Sequence, residues 1–576
     1  MKLRGVLLCV LFLLSVSALK AFSIDREAFT FTKYDLDVRI EPELQRLGVR
    51  GTISLRNDSA APQKIAVLQI SSSLSWRSIK AGGKPLQLVT QPYTSDIDHT
   101  GALSEAIVTL PEVIPPNGAI DLEIAYEGAI VPDATRLTRI GAPESTAQST
   151  DWDQINTKFT AVRGVGYVAW YPVATEAADL SESTDLFGVL GRWRAREAAS
   201  IMRLRIAVPR DEGEAPELVV NATSCPTALE VRHEFVADCT YQSVGSAVPT
   251  LVMADYEVVD RAAVVVHFLR GHNAAATSYA DAAEKVMPLI TEWLGALRNK
   301  AQTADLIDAN AAPFESGSLL LMPLTGGDAK LFGLAAAHQL AHAAFSSTRP
   351  WINEGVAHFA QALYLERQSG RQAALEYMGL HRSALSAIES GKEGTTPPRS
   401  EDEVNRSLVN TADEELYRSK AMCVWWMLRD MVGDAALKKA LGAYHPEQDK
   451  EPSYTQRLLQ AQTPRDLEWF FDDWVYRDRG LPDFKVESAF TRKTLPEGYM
   501  VTITVDNLGA AGAEVPLTVK FAGGEITQRL VVRGKSNGVT RMEVPKPPEE
   551  IVINDGSVPE SDVTNNVFKI EAGDAK

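Results

Sequence analysis

Beyond its first twenty residues this sequence has no run approaching the ~18 apolar residues a helix needs to cross a bilayer, so no membrane span is expected in the mature chain. Cysteine is scarce, four in 576 residues, which excludes a disulfide-stapled scaffold and leaves apolar packing to build the core. Positive charge is also short: 58 Lys and Arg stand against 75 Asp and Glu, a formal net charge of −17. So acidic a chain repels phosphate backbones and anionic headgroups, and neither nucleic acid nor an anionic membrane is an expected partner. No internal repeat and no low-complexity tract is present. An apolar content of 45% and a charged content of 23% are those of an ordinary folded protein, and the length calls for several cores rather than one.

The start, "MKLRGVLLCVLFLLSVSALKA", carries Lys2 and Arg4 ahead of an apolar run and ends in small residues, Ala18 and Ala21. That is the pattern of a secretory leader over residues 1–21. Cys9 follows Leu8 rather than a small residue, so no lipid anchor is expected. Removing the leader takes away Lys2, Arg4 and Lys20 and no acid, which moves the formal charge from −17 to −20. The mature protein is expected to be exported, to a periplasmic or extracellular setting. There Cys225 and Cys239, flanking "PTALEVRHEFVAD", either bridge a hairpin or remain buried thiols. Cys423 lies in an apolar helix and reads as core.

Texture along the chain divides it into three regions, giving a multidomain α+β protein. Residues 22–262 alternate like strands: Leu36, Val38 and Ile40 share one face, as do Val49, Ile53 and Leu55, and an antiparallel β domain is expected. "AVVVHFL" reads as a last strand before "TSYADAAEKVMPLITEWLGALRNK" opens a mainly helical region, 263–485. Residues 486–576 return to alternation, with Val501, Ile503 and Val505 on one face, and read as a C-terminal β-sandwich.

The chemistry concentrates in "LAAAHQLAHAAFSSTRPWINEGVAHFAQALY". His338 and His342, at i and i+4, lie on one helix face. Asp328 is the expected N-cap of that helix, and Pro350 the start of the next, with Glu354 in its first turn. Two neutral imidazoles and one carboxylate, with a fourth position left for water, make a catalytic zinc set, and one Zn2+ is the expected cofactor. The plain alternative is a helix whose histidines only pack or face solvent.

HxxxH followed by "NEG" resembles the gluzincin aminopeptidases, the membrane alanyl aminopeptidase family (peptidase family M1). "PFESGSLLL" is similar to that family's GAMEN-type strand, which makes Glu315 the implied grip on a substrate's amino terminus. "YRSKAMCVWWML" resembles the family's tyrosine helix, and Tyr417 is then the implied stabiliser of the tetrahedral intermediate. "LEWFFDDWVYRDRGLPDF" resembles the end of the catalytic domain. The likeness spans most of the mature chain and implies a thermolysin-like zinc-peptidase domain acting on peptides or protein N-termini. "TVDNLG" and "VPESDVTNNVF" also resemble bacterial extracellular β-sandwich modules.

Three departures stand out. Eleven residues separate His342 from Glu354, fewer than is usual in the family. Gln339 occupies the position of the catalytic glutamate, and an amide has no useful basicity. Gln361 replaces a carboxylate that supports a zinc histidine. General acid–base catalysis is worth typically ~10²–10⁴ in rate, so weak or absent hydrolysis is expected, unless Tyr417 or His358 carries the proton instead. Restoring the carboxylate at 339 is expected, from sequence alone, to raise turnover ~10-fold or more. Three readings follow: a zinc-binding homologue with little activity, a working aminopeptidase with a substitute proton carrier, or a metal-free interaction module.

Overall fold

The computed structural model describes residues 24–181, 185–209, 217–228, 234–325, 328–390, 406–411, 413–494 and 497–570. The leader, residues 1–21, lies outside the described residues.

The amino-terminal region is built on an eight-stranded sheet whose centre is the long pair Phe29–Glu41 and Arg46–Asn57. Val38 pairs with Val49, and the apolar faces of both strands are buried. Three-stranded sheets pack beside it. The sheet is not purely antiparallel. Phe29–Glu41 also pairs in parallel with Ile201–Pro209, from Lys33↔Ile201 to Arg39↔Ala207. A parallel neighbour needs a long crossover, and local alternation carries no trace of which distant strand will supply it. That crossover includes the helix Asp185–Arg196. Cys225 and Cys239 are joined as a disulfide, tying residues beside Thr227–Ala228 to the strand Glu234–Tyr241.

The next region opens on a five-stranded sheet, not on helix alone. "AVVVHFL" is not a last strand but an interior one: Val264–Phe268 pairs antiparallel with Glu257–Asp260 and parallel with Ala301–Asp305. Leu319–Met322 follows in parallel, and Phe314–Ser316 is the edge, folded back as a hairpin with Glu315 opposite Leu320. These strands are three to five residues long, too short for a period of two to be read against flanking helices.

Against this sheet lie the helix Asn273–Leu294 and the histidine helix, Ala329–Ala344. The glutamate helix, Pro350–Ser369, packs across the histidine helix and against the helix Ala421–Val432. Two glycines set how close these helices come. A Cβ on Gly333 would lie 2.2 Å from the Tyr364 hydroxyl, and one on Gly355 would lie 2.7 Å from the Ala421 Cβ.

The carboxy-terminal strands form a three-stranded sheet (Phe484–Thr494, Gly498–Asn507, Ser536–Val544) and a four-stranded one (Ala513–Phe521, Gly524–Val532, Pro548–Ile553, Val567–Lys569). Val501, Ile503 and Val505 are buried with Leu517 and Ile551 in one apolar core, which runs on into Trp474, Trp425 and Trp351 of the helical region. Polar groups cross the same junction. The Trp474 indole donates to the Gly512 carbonyl at 2.7 Å, and Arg529 reaches Asp430 at 3.1 Å.

Candidate metal centre

The histidine helix begins at Asp328, whose carboxylate accepts from the Lys330 amide at 2.9 Å. Its buried side is made of small residues and leucine, Ala336, Ala337, Leu340 and Ala341, which lets it sit close on the sheet. His338 and His342 then present their Nε2 atoms 3.2 Å apart. Pro350 begins the glutamate helix, as a residue without an amide hydrogen suits a first turn. Glu354 is the fifth residue of that helix, one position past the first turn expected for it.

From there Glu354 places Oε2 3.6 Å from His338 Nε2 and Oε1 3.5 Å from His342 Nε2. A tetrahedral ion with bonds of about 2.0–2.1 Å holds its donors roughly 3.3–3.4 Å apart. The imidazole nitrogens stand close to that spacing, and Glu354 turns a different oxygen to each of them, so a divalent ion held here would meet both carboxylate oxygens. Two further carboxylate or imidazole groups lie in the same cluster. Glu315, His338 and His342 have donor atoms within 4.8 Å of one another, and so do His338, Glu354 and His358.

Proton balance fits a cation shared here. Burial would lower the His338 pKa, but Glu315 and Glu354 outweigh it and the imidazole is raised above its usual value. Burial brings His342 down to about 4, with His338 beside it. Burial also pushes against ionisation of Glu354. The two imidazoles and Arg418, whose Nε is 3.6 Å from Oε2, win and hold it well below the usual carboxylate range. Burial raises the carboxyl of Glu315 to about 7, against the pull of His338 and with the charge of Glu354 adding to it.

Gln339 faces elsewhere. Its Oε1 accepts from the Tyr279 hydroxyl at 2.7 Å and from Thr303 Oγ1 at 3.2 Å. Its Nε2 donates to the carbonyls of Gln302 at 2.7 Å and Ser318 at 3.0 Å. Two acceptances and two donations are the full capacity of an amide. Fully buried, it ties the histidine helix to the strand Ala301–Asp305, to the turn of the Glu315 hairpin and to the helix before it.

The Gln361 amide donates to the Leu334 carbonyl at 3.1 Å, and its oxygen accepts from Tyr377 at 2.7 Å. It clamps the two helices together, with both ends of the amide engaged away from the histidine nitrogens. His358 lies edge-on to the His338 ring, centroids 4.7 Å apart, and burial holds it neutral, well below its usual pKa. Tyr417 is buried on a π-helical segment, Glu415–Lys420, that packs on the glutamate helix. Its hydroxyl donates to Glu414 at 3.2 Å, and burial raises its pKa.

Two residues of the centre escape a motif search. Asn353, the first letter of "NEG", has its amide 3.2 Å from His342 Nδ1 and fixes that ring. Arg418, next to Tyr417, braces Glu354 and Glu414. Adjacency to the motif residues was the only signal either carried. A surface cavity of about 730 Å³, lined by Asp133, Thr135, Glu144, Gln148 and Asp151 among others, includes none of the residues of this centre.

No family model matches the chain, and no curated protein matches it. Solved structures similar to it include a mutant M1 zinc metallopeptidase from Deinococcus radiodurans bound to a Tyr-Ser-Ala substrate. That structure is 15% identical, with a TM-score of 0.45, over 76% of this chain and 92% of the other. A mutant two-domain M1 zinc metallopeptidase bound to L-tryptophan is 16% identical, with a TM-score of 0.46, over 79% and 96%. An M1 zinc metallopeptidase from Deinococcus radiodurans is 16% identical, with a TM-score of 0.43, over 76% and 91%.

Proposed function

We propose that this chain is an exported, zinc-binding relative of the M1 aminopeptidases that holds peptide amino termini and hydrolyses them slowly or not at all. One observation carries the reading: Glu354 faces both His338 and His342, one oxygen toward each, while the amide beside them is saturated by the fold. When bound, zinc supplies a Lewis acid that polarises a carbonyl. His338, His342 and Glu354 would hold it; Asn353 and Arg418 orient two of those three.

The proton work is what the chain lacks. Gln339 has neither the basicity nor a free lone pair for it. Tyr417 keeps its proton toward Glu414. His358, neutral and packed on the ring of His338, is positioned to support that ligand. Glu315, on the edge strand of the sheet, supplies the anionic group for a peptide's ammonium. The leader pattern, the disulfide and the finding that no described helix is long and apolar enough to cross a membrane support export.

The test pairs metal analysis with an aminoacyl amide assay on the purified mature chain. One zinc per chain with turnover at least ~10²-fold below an ordinary aminopeptidase is the expected result. Ordinary turnover would mean a substitute carrier, Tyr417 or His358. Absence of zinc under non-chelating conditions would leave a metal-free interaction module.

A further inference from the structure

The geometry points to Glu315 as a fourth donor of the metal centre, its Oε2 closing the position a water would otherwise hold. This rests on the zinc reading above.

Glu315 approaches from the sheet, not from either helix. Its neighbours are anchored on the opposite face of their strand. Phe314 is buried edge-on to Tyr167, centroids 5.1 Å apart, and Ser316 Oγ accepts from the Val248 amide at 2.8 Å. Side chains alternate along a strand, so fixing 314 and 316 on one face commits 315 to the other, toward the histidines. The hairpin pairing Glu315↔Leu320 holds it there.

On that face Oε2 lies 3.5 Å from His338 Nε2, the same spacing that relates the first three donors. The other oxygen, Oε1, is buried and has no hydrogen-bond partner among the described residues. A carboxylate kept so is costly unless a cation serves it. Arg418, the guanidinium of the centre, is engaged by Glu354 and Glu414.

Two imidazoles and two carboxylates make a closed four-donor shell, the form of structural zinc sites, whereas catalytic sites keep a position open. Closure makes a general base at 339 redundant, and that position is free to serve the sheet.

The experiment compares the mature chain with Glu315→Gln, each stripped of metal and titrated with Co2+ and Zn2+. The expected result has two parts. Visible Co2+ bands of the natural chain do not change with azide, and those of Glu315→Gln do. Zinc affinity of Glu315→Gln falls by at least ~10-fold, since even supporting groups around a metal are worth that much. A natural chain whose cobalt spectrum responds to azide overturns the proposal without needing the variant. Equal zinc affinity in the two proteins overturns it as well, and in both cases the zinc reading stands. No metal uptake by the natural chain overturns both.

Discussion

The Tyr279 hydroxyl donates to Gln339 Oε1 across 2.7 Å, in a fully buried contact between residues sixty positions apart. This bond, and the three others made by the same amide, turn what looks in sequence like a lost glutamate into a structural tie.

Restoring the carboxylate therefore has a different outcome from the one sequence alone suggests. In Gln339→Glu an oxygen replaces the Nε2 that now donates to Gln302 and Ser318, and three oxygens face one another without a hydrogen. The variant is expected to lose about 2–4 kcal/mol of stability, less at acid pH where the carboxyl keeps its proton. Turnover of an aminoacyl amide is not expected to rise. Thermal melts at about pH 5 and pH 8, with the amide assay alongside, check both points.

Metal removal is expected to lower the melting temperature, and zinc to restore it. A ligand held at 100 times its dissociation constant stabilises by about 2.7 kcal/mol. His338→Ala and His342→Ala are expected to lose both bound zinc and the chelator effect. Melting curves with and without chelator, together with metal analysis, measure it.

The raised His338 sets the pH dependence. Without metal its proton contributes stability that is fully present below the unfolded value of about 6.5 and lost as pH climbs through the raised folded value. Metal must displace that proton, so zinc affinity moves the other way and grows with pH over the same window. Proton release on zinc addition, read in two buffers of different ionisation enthalpy, is expected to fall toward zero above that window.

Gly355 bears on where Glu354 sits. A methyl there meets the Ala421 Cβ at 2.7 Å and the Trp425 indole nitrogen at 2.9 Å. Gly355→Ala is expected to cost about 1–3 kcal/mol through overpacking and to weaken zinc binding, as the glutamate helix is pushed off its neighbour. Chemical denaturation and zinc titration of the variant measure the two effects separately.

What sequence made legible here is what the backbone repeats locally. Spacing on a helix places His338 beside His342, a cap places Asp328, and alternation places Val38, Val49 and Val501 in the core. Pro350 starts the glutamate helix, as its missing amide hydrogen suggests. The direction of Gln339 was not legible, because Thr303, Gln302 and Tyr279 reach it only through tertiary packing. The same holds for Arg418, which meets Glu354 across two helices, and for the parallel strand Ile201–Pro209. The short strand Ala301–Asp305 was hidden by the helical texture around it, while "PFESGSLLL" was legible as strand only through its resemblance.

The apolar core that runs from Trp351 through Trp474 into Val501 and Leu517 gives the last ninety residues a standing that an appended module lacks. Cutting the chain near 485 would strip the Trp474 ring of its cover and strand Asp430 without Arg529. The carboxy-terminal sheets are a wall of the same house as the metal centre, and damage to their buried face should be felt as a loosened ligand pair some helices away.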